Sequence, residues 1–544
     1  MRKRTPHFLA GIAALALITT PILVSGCFDK GDPNSCEYWM EKAQKTAAIE
    51  KAIEELGRLQ CKQSIPLLTT LYKDGQFQER ILQSVREIGD KAAALPLVQE
   101  GLQSKRQGKL AAAIATEWKL AGTEPQLRNI LMNEGMVDLR EVALKALLTF
   151  KKPGEVEDVL TSIAGYDANA QGYLANHEAI RALGEIRSAA SVPTLMKMAY
   201  LRTNKQFEVY TAVREAFAKI GDTVTPALLD VLAEKNEAVK SFVRDNGVKD
   251  WEWRLGPKTA QLLADTLDPT VVPALVQSMK VKLATPSDVR GAAEDKWRTA
   301  QSNRLKITML GLGRIGTDAG VPQLQAMIQD TGLSAISQRI NAATALATIG
   351  TPQAQEALFA AFRAENHPTS PQFRPPLVQV ISMGIDHTNL EAFNALVKDG
   401  SEGFKKAMNS NSRLAAYLSV PRACGSDVAC YLKKLEDKNQ DVRVKAALIL
   451  MRELFPADEA LMNALFQTFK TNATPAQLDT RMFTLAAIIR RGGKAEGEKL
   501  LSIADAVKES DPFWFAELTI VGNWMVHRAG RKATPAPTPA PATP

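Results

Sequence analysis

The chain has few of the residues that usually build a compact chemical site. Histidine occurs five times in 544 residues, at His7, His177, His367, His387 and His527. That scatter offers no local metal set and no Ser-His-Asp constellation. Cysteine also occurs five times, never in the Cys-x-x-Cys spacing typical of zinc. Strand-like alternation is scarce, and β-branched or aromatic runs bounded by hairpin turns are absent, which argues against a β architecture. There is no run of five or six basic residues, so nucleic acid is a poor partner. Outside the N-terminus, no segment approaches the roughly 18 consecutive apolar residues of a spanning helix.

What remains is ordinary globular material, 45% hydrophobic and 23% charged. The N-terminus differs: Arg2-Lys3-Arg4 precedes an apolar stretch from Phe8 to Val24, broken by Thr19, Thr20 and Pro21, that ends in Val24-Ser25-Gly26-Cys27. This pattern reads as an export signal over residues 1–26. The small residues before Cys27 resemble the lipobox of bacterial lipoproteins. The resemblance implies cleavage before Cys27, a diacylglyceryl thioether on its sulfur and an acylated new N-terminus. The alternative is an uncleaved transmembrane helix with an incidental cysteine. Acyl chains at about 0.8 kcal/mol per buried CH₂ would hold the protein firmly on a membrane. Without the three basic residues of the signal, the formal charge of +8 falls to +5.

Beyond a short polar tether at residues 27–35, a proline-anchored unit recurs. A helix ends in an apolar residue, often followed by Gly, and six to eight residues later a Pro-x-Leu or Pro-x-Val step opens the next helix. The copies are Leu59 to Pro66-Leu67-Leu68, Ile88-Gly89 to Pro96-Leu97-Val98, Ile186 to Pro193-Thr194-Leu195, Ile220-Gly221 to Pro226-Ala227-Leu228, and Ile315-Gly316 to Pro322-Gln323-Leu324. Within a copy, Ile81, Leu82, Val85 and Ile88 form one apolar helical stripe. Proline suits the first turn, where its missing N–H has no intrahelical partner. Pro96 is expected to play that part after Ala93-Ala94-Leu95. The pattern predicts an all-α solenoid in which each unit contacts only its neighbours.

Anchoring prolines are 30 residues apart from Pro66 to Pro96 and 33 from Pro193 to Pro226, then 47 and 49 on either side of Pro273. The wider gaps predict insertions near 248–258 and 285–303. The proline-rich stretch 367–376 cannot be continuous helix. Residues 506–533 carry the densest aromatic cluster, Pro512-Phe513-Trp514-Phe515 with Trp524, expected to cap the last repeat, the alternative being an exposed docking patch. Trp251 and Trp253 with Arg254 are expected to pack. Residues 534–544 contain only Thr, Pro and Ala and are expected to form an extended, unpacked tail.

The repeats resemble HEAT repeats, especially the short bacterial variety also seen in phycobilisome lyases. The match rests on the copies above together with Ala179-Ile180-Arg181-Ala182-Leu183-Gly184, Ala342 to Gly350, and Asp441-Val442-Arg443-Val444-Lys445-Ala446-Ala447. It covers roughly residues 36–505 and implies a right-handed superhelix of stacked antiparallel helix pairs. Repeat register also pairs the cysteines. Cys36 and Cys430 should both open the first helix of a repeat, and Cys61 follows the second helix of its own. A Cys36–Cys61 bond is therefore sterically reasonable, and Cys424 would bridge to Cys430 across Gly425-Ser426-Asp427. Four buried free thiols are the alternative.

Two apparent catalytic signals fail on context. Gly311-Leu312-Gly313-Arg314-Ile315-Gly316 matches G-x-G-x-x-G, but it falls where a repeat helix ends rather than between a strand and a helix. His177-Glu178 is the one His-Glu step, and HEAT-repeat hydroxylases that bind two irons use several. No cofactor, metal or catalytic residue is expected. The expected function is a monomeric, lipid-anchored, non-enzymatic scaffold that binds an envelope protein or peptide. An envelope enzyme assembled across repeats and a passive spacer are the competing classes. Phe28 follows Cys27 where an Asp would resemble an inner-membrane retention signal, so the expected place is the outer membrane, facing the periplasm or the cell surface.

Overall fold

The computed structural model describes residues 31–45, 47–201, 208–245, 251–280, 292–330, 336–365 and 375–531. The signal segment, Cys27, the tail 534–544 and parts of all three expected insertions lie outside these residues. Among the described residues every regular element is helical and there is no strand. The protein is an all-α solenoid. It divides into two units, residues 1–101 and 102–544.

In the first unit, Cys36–Lys42 begins on Ser35, whose hydroxyl accepts from the Tyr38 backbone N–H. Ile49–Arg58 packs on it and on Gln78–Ile88 through Ile53, Leu56, Ile81, Leu82 and Val85, all fully buried. Each such side chain contributes about 1.5–3 kcal/mol of burial. The Sγ atoms of Cys36 and Cys61 lie at disulfide distance, with Cα atoms 5.6 Å apart.

One expectation is corrected here. Pro66, Pro193, Pro226 and Pro322 do stand in first helical turns. Pro96 instead lies inside the helix Lys91–Gln103. The Asp90 carboxylate accepts the Ala93 N–H at 3.1 Å and so starts the helix a turn upstream of the proline.

In the second unit, alternate helices stack on one another. One layer runs through Gly108–Trp118, Arg140–Leu148, Tyr173–Glu185, Tyr210–Ile220, Trp251–Asp265, Ala292–Ile315 and Ile336–Ile349. It resumes through Ser412–Cys424, Gln440–Leu450 and Leu478–Arg491. Small residues set the spacing: a Cβ on Gly184 would meet the Ala216 Cα at 2.7 Å. Residues 292–303, expected to belong to an insertion, form the first half of the 24-residue helix Ala292–Ile315. The Sγ atoms of Cys424 and Cys430 are also at disulfide distance.

The helix Pro512–Gly530 starts on Asp511, whose carboxylate accepts from the Trp514 N–H. It lies along Lys494–Val507, with Gly497 and Gly522 in close approach. It also packs on Tyr210–Ile220, some 300 residues earlier, so it does more than cover the last repeat.

Candidate functional site

Several helices of the stacking layer end in a residue with left-handed backbone. Lys119, Arg187 and Leu267 take that conformation in the second unit alongside Gly221, Gly316 and Gly350. The first group shows that a side chain is tolerated there, at about 1–2 kcal/mol. Glycine appears where later helices of the same unit return and press on the helix end. A Cβ on Gly221 would lie 2.6 Å from the His527 ring, and one on Gly316 would overlap the Arg490 guanidinium. Arg490 donates to the carbonyls of Ile315 and Gly316, and to that of Thr348 on the next helix. A cation thus meets the unsatisfied carbonyls of two helix C-termini. Burial holds the Arg490 pKa down at about 10.

Buried charges complete this contact. Asp265, only 3% exposed, accepts from Arg214 at 2.8 Å and 3.1 Å and pairs with Arg314 at 3.1 Å. Arg214 also donates to Glu517 on the returning helix, at 2.5 Å. Desolvation opposes the charge on Arg214, but Asp265 and Glu517 outweigh it and raise its pKa well above the usual value. Arg531 forks onto the Asp222 carboxylate and reaches the Thr266 carbonyl.

Between these contacts lies an apolar recess of about 290 Å³, lined by Leu310, Arg314, Thr348, Met482, Trp514 and Glu517, among others. Leu310 and Met482 at its edge are 38% and 47% exposed, although both are large and apolar. Trp514 is buried at its wall, held edge-on to Phe469 at 5.2 Å and under the Arg481 guanidinium at 4.1 Å. The recess offers apolar walls with a neutralised charge cluster beneath. Its Thr344 and Thr348 hydroxyls already donate to backbone carbonyls one turn back.

Of the candidates named from sequence, Gly313, Arg314 and Trp514 line this recess. Gly311 and Gly313 are packing notches inside a helix: their Cβ positions would meet Ala264 and the Ala345 backbone at 2.8 Å and 3.1 Å. His177 is mostly buried, and desolvation lowers its pKa. His387 stacks on Phe455 at 6.0 Å. No group of three or more His, Cys, Asp or Glu side chains able to hold a metal occurs among the described residues. Of the recess residues, sequence singled out Trp514, as part of the aromatic cluster, and Gly313 and Arg314, within the G-x-G-x-x-G match; Leu310, Met482 and Glu517 were not singled out. One signal was available: Glu517 is the only acidic residue of Pro512–Gly530, and an isolated charge in an apolar helix requires a partner.

Residues 175–199 match the family model of the PBS lyase HEAT-like repeat. The chain carries a HEAT-like repeat. That repeat comprises most of Tyr173–Glu185 and Val192–Met198, with Pro193 in the first turn of the second helix. No curated protein matches the chain. Among solved structures, the chain is similar to an engineered protein at 14% identity, covering 78% of this chain and 98% of that one, with a TM-score of 0.25. It is also similar to the karyopherin Kap121p, solved bound to the extreme C-terminus of the protein phosphatase Cdc14p, at 11% identity and a TM-score of 0.27. That match covers 91% of this chain, which spans 62% of the karyopherin.

Proposed function

We propose that this protein is a lipid-anchored scaffold of the cell envelope that binds another protein through the recess, without catalysis. The exposed pair Leu310 and Met482 beside a preformed apolar hollow carries this role, because large apolar side chains left uncovered around a cavity mark contact surfaces. Solenoids present such surfaces on stacked helices. The charged groups beneath the recess serve in structural pairs, which favours binding over chemistry.

Residues 1–26 would direct export, and Cys27 would carry the lipid. Among the described residues no helix is long and apolar enough to cross a membrane. Phe28 in place of an acidic residue favours the outer membrane.

In-cell crosslinking followed by affinity capture and mass spectrometry tests both parts, using the native chain, Cys27→Ala and the double variant Leu310→Asp/Met482→Asp. A specific protein captured by the native chain, reduced with Cys27→Ala and lost with the double variant, is the expected result. Equal capture by all three forms, or no enrichment over background, would overturn the proposal.

A further inference from the structure

The last described residue is pinned close to the apolar recess. Arg531 closes the helix Pro512–Gly530, and its guanidinium rests on the Asp222 carboxylate at 3.0 Å and on the Thr266 carbonyl at 3.1 Å. Asp265, the neighbour of Thr266, holds Arg314, which lines the recess. Val521 and Trp514, two other lining residues, precede Arg531 on the same helix. At a rise of about 1.5 Å per residue they lie about 15 Å and about 26 Å back along the axis.

Residues 532–544 follow, with the length and chemistry to turn back over this hollow. In polyproline geometry, at about 3.1 Å per residue, they span about 40 Å, more than the distance to Trp514. Pro535, Pro537, Pro539 and Pro541 alternate with Ala536, Thr538 and Ala540. Each proline fixes its own φ and biases the residue before it toward the same extended geometry, so little conformational freedom is left to lose on docking. Each also lacks the N–H that an apolar wall would leave unpaired. From Ala533 to Thr543 no side chain is charged, which suits a hollow whose own charges are already paired.

The apolar surface continues past the recess. Phe513 is 58% exposed, with its ring edge-on to the Trp514 indole at 5.5 Å. Leu478, one turn before Met482 on the same helix face, is 45% exposed. Proline-rich segments dock on aromatic-lined apolar surfaces of this kind.

We propose that residues 533–544 dock in the recess of their own chain, with their prolines against Leu310, Met482 and Trp514. The inference rests on the reading of the recess as a contact surface and names what covers it when no partner does. Tethering gives the segment an effective concentration on the order of millimolar, so weak contacts suffice. A protein partner must displace it, and the partner's apparent affinity falls in proportion to the fraction of chains whose recess is open.

The test is photo-crosslinking within the purified full chain in detergent, with p-benzoylphenylalanine in place of Met482 or, as a control, of Thr270. Thr270 is exposed and lies four positions from the residue whose carbonyl Arg531 grips, so a segment that merely sweeps the surface meets it at least as often. The expected result, located by mass spectrometry, is a crosslink from position 482 to residues 533–544, at least tenfold stronger than from position 270 and unchanged in yield on tenfold dilution of the protein. Pro535→Gly/Pro537→Gly/Pro539→Gly/Pro541→Gly keeps the length and should bring the yield down to the control level. An equal or stronger crosslink from position 270, a yield that falls on dilution, or a yield unchanged in the glycine variant would overturn the proposal. No partner takes part, so capture of a protein in cells can fail while this crosslink stands, and the reverse.

Discussion

Arg490 donates to the backbone carbonyl of Gly316, 174 residues earlier in the chain. The guanidinium occupies the space a side chain at position 316 would need, so this helix end is glycine for two reasons: its φ of +77° and the arginine upon it. A residue recurring in the repeat has become the landing point for a helix of a distant one.

Gly316→Ala is therefore expected to cost about 2–5 kcal/mol, combining left-handed strain with overpacking. Gly89→Ala meets only a backbone oxygen at 3.9 Å and should cost the strain alone, about 1–2 kcal/mol. Thermal melting distinguishes the two. Adding Arg490→Ala to Gly316→Ala should give less than the sum of the single losses. Equal losses for the two glycines would remove the packing part of this explanation.

Asp265 holds two arginines, Arg214 and Arg314, in a nearly dry site. Asp265→Asn leaves both guanidinium groups under-compensated and is expected to destabilise the second unit by about 3–5 kcal/mol. Glu517→Gln should cost less, because Glu517 is partly exposed and Arg214 keeps Asp265. Limited proteolysis should cut within Pro512–Gly530 sooner in both variants than in the native chain. Unchanged cleavage would mean that these charges do not fasten that helix.

Lys445 is fully buried and donates to the Ser382 and Met383 carbonyls at 3.1 Å and 2.8 Å. Desolvation, then Arg452, drives its pKa well below the usual lysine value, against the pull of Asp386. Between that depressed folded pKa and the unfolded value near 10.5, the unfolded chain binds more protons. Stability should therefore rise with pH once the folded pKa is passed. Above about pH 10 the buried Tyr431 and Tyr417, with pKa values raised by desolvation to about 12, act in the opposite sense. Urea titrations from pH 7 to 9.5 should show the rise in the native chain and its loss in Lys445→Met.

Below Lys445, Asp386 behaves in the ordinary acidic way. Desolvation would raise its pKa, but Arg452 at 2.6 Å and two bonds from Thr388 lower it below the usual aspartate value. Its contribution is present above about pH 4 and lost as pH falls through the depressed folded pKa. Asp386→Asn should flatten the acid limb of the same stability curve.

The sulfur atoms of Cys36 and Cys61 join positions 25 residues apart in the first unit. Replacing both by serine is expected to cost about 3 kcal/mol by the loop-entropy model. A reductant should lower the melting temperature of the native chain and leave that of the Cys36→Ser/Cys61→Ser/Cys424→Ser/Cys430→Ser variant unchanged. Insensitivity of the native chain would point to thiols.

Helix, turn and pairing are local matters, and the sequence stated them. Apolar residues at i, i+1, i+4 and i+7, prolines in first turns and the Ile-Gly step specify helices and their ends through bonds that span four residues, so an all-α solenoid was legible before any coordinates. Even there, Asp90 displaced one boundary, because a side-chain cap outweighed a proline as the start signal. The recess was not legible. Leu310, Arg314, Met482 and Glu517 lie on three helices up to 207 residues apart, and they meet only because helices distant in sequence pack together within the second unit. No local pattern encodes that packing. The same packing decided which helix ends had to be glycine and gave the lone Glu517 its partner, Arg214.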